Sequence, residues 1–491
     1  MFANEGLVAP ALSTPGRWLG LKSARRRHKF LPGPIPLPFL GNIPLFLRHF
    51  NNVAGYFIEN QKKLGDVFTL WLPNPTVILN SSEAIYEAFV NNADGLSNRP
   101  PTQDTPGVEL GLGNAGGVIN SEDGIWQIHR RHLLGVFKAQ GIGKAAMENV
   151  ILEETKYFHE ALLNHQSRPT DIRQQLKQSV SNIATHIVFG NRFDYDASQL
   201  ANLEVDDFFA AYFKTIPAPF LRHLPFDPIG YRAARNKVMK TISFVKEQTE
   251  KHKEAFDGKN PQDFIDSFLM EREKYMEDGS NPFGDENLII VLLQLYIAGT
   301  DTTSSVLYWA FLHLVLLPDM QEKLFEEIQE QIGSRSPVLA DKENMPYTMS
   351  VITELLRIDV VGISLQHYAT RDVNVLGHII PKGTTVLANN FASTHNACFY
   401  TEPDTFIPHR FLDSAGNFQK PKQKLFTPFG IGKRICPGET LARMELFFFL
   451  TSTVQRFKVF LGQDKVPSTE LHREFVNMPK ERYKVRFVER I

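Results

Sequence analysis

The apolar positions of this chain recur mainly at helical spacing. From about Asn80 to Leu356 the patterns are mostly helical, broken by stretches rich in glycine and proline. Two apolar runs in this region, Leu288 to Ile297 and Val306 to Leu317, flank a short polar break and predict one long buried helix. β-Forming runs lie outside it: Val67 to Leu72 and Thr76 to Leu79, turned by Pro73-Asn74-Pro75. Beyond His367 come Val373 to Leu376, His378 to Ile380 and, after the turn Pro381-Lys382-Gly383-Thr384, Thr385 to Ala388. The pattern predicts a mainly α fold with a smaller β portion, an α+β protein, without internal repeats.

Several stretches obey neither period. Leu31 to Asn42 is too proline-dense for a helix or an inner strand, and reads as a stiff lead-in, either a linker or a packed, structure-setting segment. Pro100 to Gly117 is long and glycine-rich, the composition of a functional cover or of a disordered loop. Phe208 to Pro228 carries Phe208, Phe209, Phe213, Phe220 and Phe226 among prolines. Such a stretch roofs an apolar pocket, rests on a membrane surface, or simply packs into the core.

Composition narrows the class. With 43% hydrophobic and 22% charged residues the chain falls among ordinary packed globular proteins. A length of 491 residues allows two or three domains or one large one. A net charge of -1 from 53 basic and 54 acidic residues gives no reason to expect nucleic acid as a partner. Only two cysteines, Cys398 and Cys436, are present, which excludes a disulfide framework and points to a reducing compartment. No run of about 18 consecutive apolar residues occurs, so no conventional spanning helix is predicted. Residues 1–30 combine an apolar patch, Gly6 to Leu12, with the basic cluster Lys22, Arg25, Arg26, Arg27 and Lys29. That cluster fits a solvated tail, a flank beside an anionic membrane, or a mitochondrial presequence.

Four groups of residues carry candidate chemistry. The sharpest is Phe426 to Glu439, in which Gly430 and Gly432 allow tight turns, Gly438 allows close approach, and Pro437 suits a first helical position. Cys436 would then lie at a helix N-terminus, where backbone N–H groups stabilise a thiolate. The second is Ala298-Gly299-Thr300-Asp301-Thr302-Thr303, in the polar break of the long helix. Threonine hydroxyls there bond back to the preceding turn, or else Asp301 and Thr302 deliver protons into a groove. In the third, Glu354 and Arg357 share a helix face, with Arg410 as a second partner able to clamp the sheet portion to the loop before Cys436. The fourth comprises Trp126 and Arg130, four apart on a helix, and Arg434, two before Cys436, which suit carboxylates of a ligand.

Taken together these residues resemble the cytochrome P-450 superfamily, from Leu31 to the C-terminus, with Phe429 to Gly438 matching its haem-loop pattern. Phe189 to Tyr195, Asp263 to Leu269 and Met444 to Ser452 resemble the animal microsomal family 2 group. The resemblance implies a single large catalytic domain over 31–491, preceded by a basic segment 1–30 without a recognisable anchor. It implies haem b (iron protoporphyrin IX), with Cys436 as axial ligand and Asp301 and Thr302 as the oxygen-activating pair. Trp126, Arg130, His367 and Arg434 would hold the propionates, and Ala298, Gly299, Phe429 and Gly438 would pack against the haem. Glu354, Arg357 and Arg410 become a structural triad. The stretch Ile358 to Gln366 departs from the family by lacking a proline and a residue, which loosens the His367 match and the substrate analogy.

The implied activity is insertion of one oxygen atom from O2 into a lipophilic small molecule such as a steroid, fatty acid or xenobiotic, by hydroxylation or epoxidation. Electrons are expected from NADPH through an NADPH-cytochrome reductase docking near Arg131, Lys422, Lys424 and Lys433. The expected address is the cytosolic face of the endoplasmic reticulum membrane, with mitochondria as the alternative. Two other activities suit the same loop: a reductase-independent hydroperoxide isomerase, and a non-catalytic haem carrier or sensor.

Overall fold

The computed structural model describes residues 31–72, 74–101, 106–113, 115–195, 215, 219–275, 281–358, 363–470 and 479–490. The basic cluster, Phe208, Phe209, Phe213, Pro73 and residues 359–362 of the departing stretch lie outside these.

The principal helices are α1 (Val53–Leu64), α2 (Asp123–Ala139), α3 (Ala145–Leu163), α4 (Arg173–Phe189) and α5 (Tyr231–Ala255), followed by α6 (Phe264–Glu273), α7 (Asp285–Leu316), α8 (Pro318–Gln331), α9 (Pro346–Ile358) and α10 (Glu439–Arg456). The strands are β1 (Val67–Trp71), β2 (Pro75–Leu79), β3 (His367–Tyr368), β4 (Val373–Val375), β5 (His378–Ile380), β6 (Thr385–Ala388), β7 (Phe457–Leu461) and β8 (Val485–Glu489). The protein is thus mainly helical with small sheets, as the apolar spacing predicts.

Helix α7 is the axis of the fold. It is apolar on nearly all sides, which is stable only inside a core, and it packs against α4, α5, α8, α9 and α10. Its length and composition would also span a bilayer, but Tyr308, Trp309 and Phe311 are buried among protein side chains. The two predicted apolar runs are one unbroken helix through Ala298–Thr303.

The main sheet joins distant parts of the chain. β1 pairs antiparallel with β2, β2 pairs parallel with β6 (Thr76 opposite Thr385, Leu79 opposite Ala388), and β6 pairs antiparallel with β3. β2 and β6 are almost wholly buried, which explains why they read as continuous apolar runs rather than alternating ones. Asn389 donates to the Asn80 side chain (2.8 Å) and to the Ala54 carbonyl, so that α1 is tied to the sheet by buried amides 309 residues apart.

Two boundaries differ from expectation. β4 stops at Val375 because Leu376 and Gly377 both take positive φ and form a two-residue turn into β5. The apolar run from Leu441 to Phe457, which by its spacing predicts a helix, is not all helix: α10 ends at Arg456, and Phe457 opens β7, which alternates buried Phe457 and Val459 with more exposed Lys458 and Phe460 and pairs with β8.

Candidate functional site

The loop before α10 is tightly set. The Cys436 N–H donates to the Phe429 carbonyl (2.9 Å), and Arg130 on α2 donates to the Ile435 carbonyl (2.7 Å). Gly432 has φ +80 and presses on the Phe89 carbonyl, which a Cβ would meet at 2.0 Å. The Phe429 ring lies under the Arg443 guanidinium of α10 (5.1 Å), itself bonded to Glu439. Pro437 is not the first helical residue: α10 starts at Glu439 with Gly438 as its N-cap, because the chain still turns at Pro437. Burial, joined by the charge of Glu439, pushes the Cys436 thiol up overall; the N–H groups of Gly438 and Glu439 and the charge of Arg130 pull against it without outweighing it.

Cys436 is exposed although protein encloses it closely enough for burial to dominate its titration. Ala298 is also exposed, in the middle of α7, while Tyr296 and Thr300 on either side are buried. Helix α7, which carries Ala298, packs on α10, whose preceding loop carries Cys436. A Cβ on Gly438 would meet only the Cys436 sulfur, at 3.8 Å, so no protein side chain fills the space beside it.

A cationic cradle surrounds the same loop. Arg434 donates to the carbonyls of Ser97 (2.7 Å) and Ser121 (2.6 Å), and its guanidinium lies 4.0 Å from the Trp126 ring. Arg130 is 5.9 Å from that ring. Arg99, absent from the residues that the sequence singled out, donates to the carbonyls of Ile119 (3.0 Å) and Gln366 (2.8 Å). Among the described residues Arg99 meets no carboxylate, and burial lowers its guanidinium to about 10. His367 stacks on Phe89 (4.0 Å) and its Nδ1 donates to the Leu96 carbonyl (2.7 Å). Burial, then the charges of Arg99 and Arg434, hold this imidazole well below its usual range. A buried guanidinium such as Arg99 is costly without an anion, so this part of the site suits an anionic ligand group.

Glu354, Arg357 and Arg410 come together with no exposure of the Glu354 or Arg357 side chain. Arg357 forks onto both Glu354 oxygens at 2.7 Å, and Arg410 donates to Glu354 Oε1 at 3.0 Å. Arg357 also donates to the carbonyls of Thr394 and Pro403. Tyr400, another residue that the sequence did not single out, lies beside both guanidiniums (5.1 and 6.0 Å) and donates to the Leu425 carbonyl (3.1 Å). Burial pushes its phenol up to about 12, so it remains a donor, and it links the triad to the approach of the Cys436 loop.

In α7, Thr302 donates to the Ala298 carbonyl (2.8 Å), and Asp301 pairs with Lys177 of α4 (3.4 Å). The close neighbour at Gly299 is Ala184 of α4, 3.3 Å from where a Cβ would stand. That glycine therefore answers a helix–helix approach. On the outer surface Arg131 and Lys422 are exposed, whereas Lys424 pairs with Glu83 (3.7 Å) and Lys433 with Asp94.

The sequence profile described as Cytochrome P450 matches residues 31–487. The chain is 36% identical over 448 residues to cytochrome P450 2G1 of Rattus norvegicus, covering 89% of each. It is 35% identical over 474 residues to cytochrome P450 2B4 of Oryctolagus cuniculus, covering 94% of each. With cytochrome P450 2C8 of Homo sapiens it shares 34% over 475 residues, 94% of this chain and 95% of that one.

Proposed function

The chain belongs to the cytochrome P450 family, as a monooxygenase related to the animal family 2 members, and from that premise we propose that Cys436 is the thiolate ligand of a haem b iron. The carrying observation is the exposed sulfur of Cys436 on a loop fixed by Arg130, close to Arg434 and to the buried Arg99, which among the described residues meets no carboxylate. When bound, the haem supplies the redox chemistry of dioxygen, and a thiolate ligand favours cleavage of the O–O bond.

The residues divide the remaining work. Arg99, Arg130, Arg434 and His367 hold the two propionates, and Trp126 keeps Arg434 in place by stacking. Arg130 does so from α2 while fixing the backbone before Cys436. Phe429 and Gly438 leave the sulfur side accessible, and Ala298 keeps the opposite wall low. Because the Thr302 proton is directed to the Ala298 carbonyl, its hydroxyl turns lone pairs outward and accepts rather than donates. It would accept a hydrogen bond from a ligand on that face, and Asp301, the preceding residue, paired with Lys177, would supply protons. Thr302→Ala is expected to keep haem but to release reducing equivalents as peroxide. Loss of one hydrogen bond of about 1 kcal/mol lowers product per NADPH roughly 5- to 10-fold. Unchanged coupling, measured as product against NADPH consumed, removes Thr302 from this role.

The substrate is a lipophilic small molecule, and electrons come from NADPH through a flavin reductase. Reconstitution with that reductase and a substrate panel tests the assignment. Product that requires NADPH supports it, turnover of a hydroperoxide alone marks the isomerase, and haem uptake without oxidation marks a carrier. The docking face is the surface of Arg131 and Lys422; among the described residues neither meets a carboxylate, unlike Lys424 and Lys433. The rate of first-electron transfer should fall about tenfold as added salt shortens the Debye length from about 30 to about 8 Å. A flat salt profile excludes this face.

The endoplasmic reticulum membrane is the proposed address. Ile35, Phe39 and Phe226 are 88%, 73% and 98% exposed, an apolar display that water disfavours and a bilayer covers. The lead-in runs into the helix Ile43–Arg48, whose Leu47 lines an apolar hollow of about 440 Å³ with Phe50, Leu221, Leu224 and Ile229.

A further inference from the structure

The end of α5 and the start of α6 bring one imidazole and two carboxylates together. Asp263 is the N-cap of α6, and its Oδ1 accepts from the Asp266 N–H (3.0 Å). Its Oδ2 accepts from His252 Nε2 (2.6 Å), while His252 Nδ1 lies 2.8 Å from the Gln248 carbonyl, one turn earlier on α5. Asp266 stands three residues into the same first turn of α6. Its Oδ2 accepts from the Gln262 N–H (3.1 Å), and its Oδ1 accepts nothing among the described residues. Ligand atoms of His252, Asp263 and Asp266 all lie within 4.8 Å of one another. The end of α4 closes the back of the group, where a Cβ on Gly190, with φ +67, would meet Asp263 Oδ2 at 3.0 Å.

Helix capping and one ion pair explain part of this arrangement but leave a charge over. Both nitrogens of His252 face acceptors, so the ring carries two protons, and its bond to Asp263 raises it to about 9. One imidazolium against two carboxylates leaves a negative charge uncompensated where Asp263 and Asp266 are only 4% and 7% exposed. The described neighbours do not balance it. Burial, then the charges of Asp263 and Asp257, hold the Asp266 carboxyl above its usual range. His186 of α4 faces Asp263 and Glu153 of α3, yet burial keeps its imidazole below its usual range, and Lys253 pairs with Glu250 and Asp285. A divalent cation in place of the His252 proton brings the group to neutrality. One imidazole nitrogen with carboxylate oxygens is a donor set that zinc accepts, and the Gln248 carbonyl on Nδ1 leaves Nε2 as the metal-facing nitrogen.

We propose that His252, Asp263 and Asp266 form a binding site for one divalent cation of the zinc type, which enters as the His252 proton leaves and pins the end of α5 to the start of α6. Donor atoms on one tetrahedral ion stand roughly 3.3 Å apart, so Nε2 and Oδ2 open from 2.6 Å as the ion takes the place of the proton, and no other separation exceeds 4.8 Å. The His252 side chain, 15% exposed, gives the ion its way in. The site uses no residue of the Cys436 loop, so it stands or falls apart from the haem assignment.

The test titrates zinc chloride into the haem-loaded protein by calorimetry, in two buffers of different ionisation enthalpy, with Cys398→Ser as background to remove the exposed thiol. One ion per chain should bind and release about one proton. Because His252 keeps its proton up to about 9, the proton competes with the ion below that pH, and the affinity should rise about tenfold per pH unit between about pH 6.5 and 8. In that window His186 is already neutral, so the slope reports His252. His252→Ala and Asp266→Asn should each weaken binding at least about tenfold. The asparagine keeps an oxygen for the Gln262 N–H, so it serves if the alanine variant does not fold. Zinc should also raise the thermal unfolding temperature of the background protein and leave that of Asp266→Asn unmoved. Absence of one-to-one binding overturns the site, as does an affinity that does not change with pH. Equal affinity in the folded variants means an adventitious ion only and overturns it as well.

Discussion

Cys436→Ser is expected to abolish NADPH-supported oxidation, by at least about 10³-fold or about 4 kcal/mol of transition-state stabilisation, and to remove the thiolate-type band of the reduced carbon monoxide complex. The change is small in volume and leaves the loop intact. The backbone bond from Cys436 to Phe429, the Arg130 bond to Ile435 and the seat of Gly432 on Phe89 involve no atom of the sulfur. What changes is the ligand. The N–H groups of Gly438 and Glu439 and the charge of Arg130 favour a thiolate without outweighing burial, and a serine hydroxyl ionises far more weakly than a thiol in the same setting. Thermal unfolding close to that of the unsubstituted protein, with the band gone, is the full expected result. An unaltered band in the serine variant would place the iron ligand elsewhere.

The second large effect is structural. Arg357→Ala leaves Glu354 buried with a single arginine and strips the carbonyls of Thr394 and Pro403 of their donor. Breaking a buried pair in this way costs about 3 to 5 kcal/mol, a large share of a typical stability of about 5 to 15 kcal/mol. Arg357→Lys should recover little, because an ammonium cannot fork onto both Glu354 oxygens while holding two carbonyls. Denaturant unfolding and haem content measure the outcome together. Haem is expected to fall with stability, since Tyr400 links the triad to Leu425 and onward to the Cys436 loop. An alanine variant with unchanged denaturation midpoint and full haem would show that the triad supports nothing.

The long apolar runs made α7 legible, and the compact β-branched runs placed β2 and β6 closely, because burial on all sides leaves its mark directly on composition; β5, mostly exposed, was placed by the turns on either side of it. β3 and the β7–β8 pair escaped notice. A two-residue strand has no period to detect, and β7 follows a helix without a glycine or proline to separate them. At the site, Cys436, Arg434 and the Glu354 pair stood out because their local spacing is distinctive. Arg99 and Tyr400 did not, since their importance comes from partners more than 260 and 20 residues away, carbonyls that any residue type carries. The one local hint at Arg99 was Pro100, which holds the preceding residue extended. Likewise the pairing of Asp301 with Lys177 depends on how α4 crosses α7, which no spacing within either helix encodes.

The parallel pairing of β2 with β6 also bears on how the polypeptide emerges from the ribosome. At roughly 5 to 20 residues per second, β2 waits on the order of 15 to 60 seconds for its neighbour, a span in which an apolar strand with open edges invites wrong associations. The amide pair Asn80 and Asn389, 309 residues apart, can close only afterwards, and Arg130 finds Ile435 later still, 305 residues downstream. Under the proposed assignment, haem can therefore be fully seated only after Ile435 and Cys436 have emerged, near the end of synthesis.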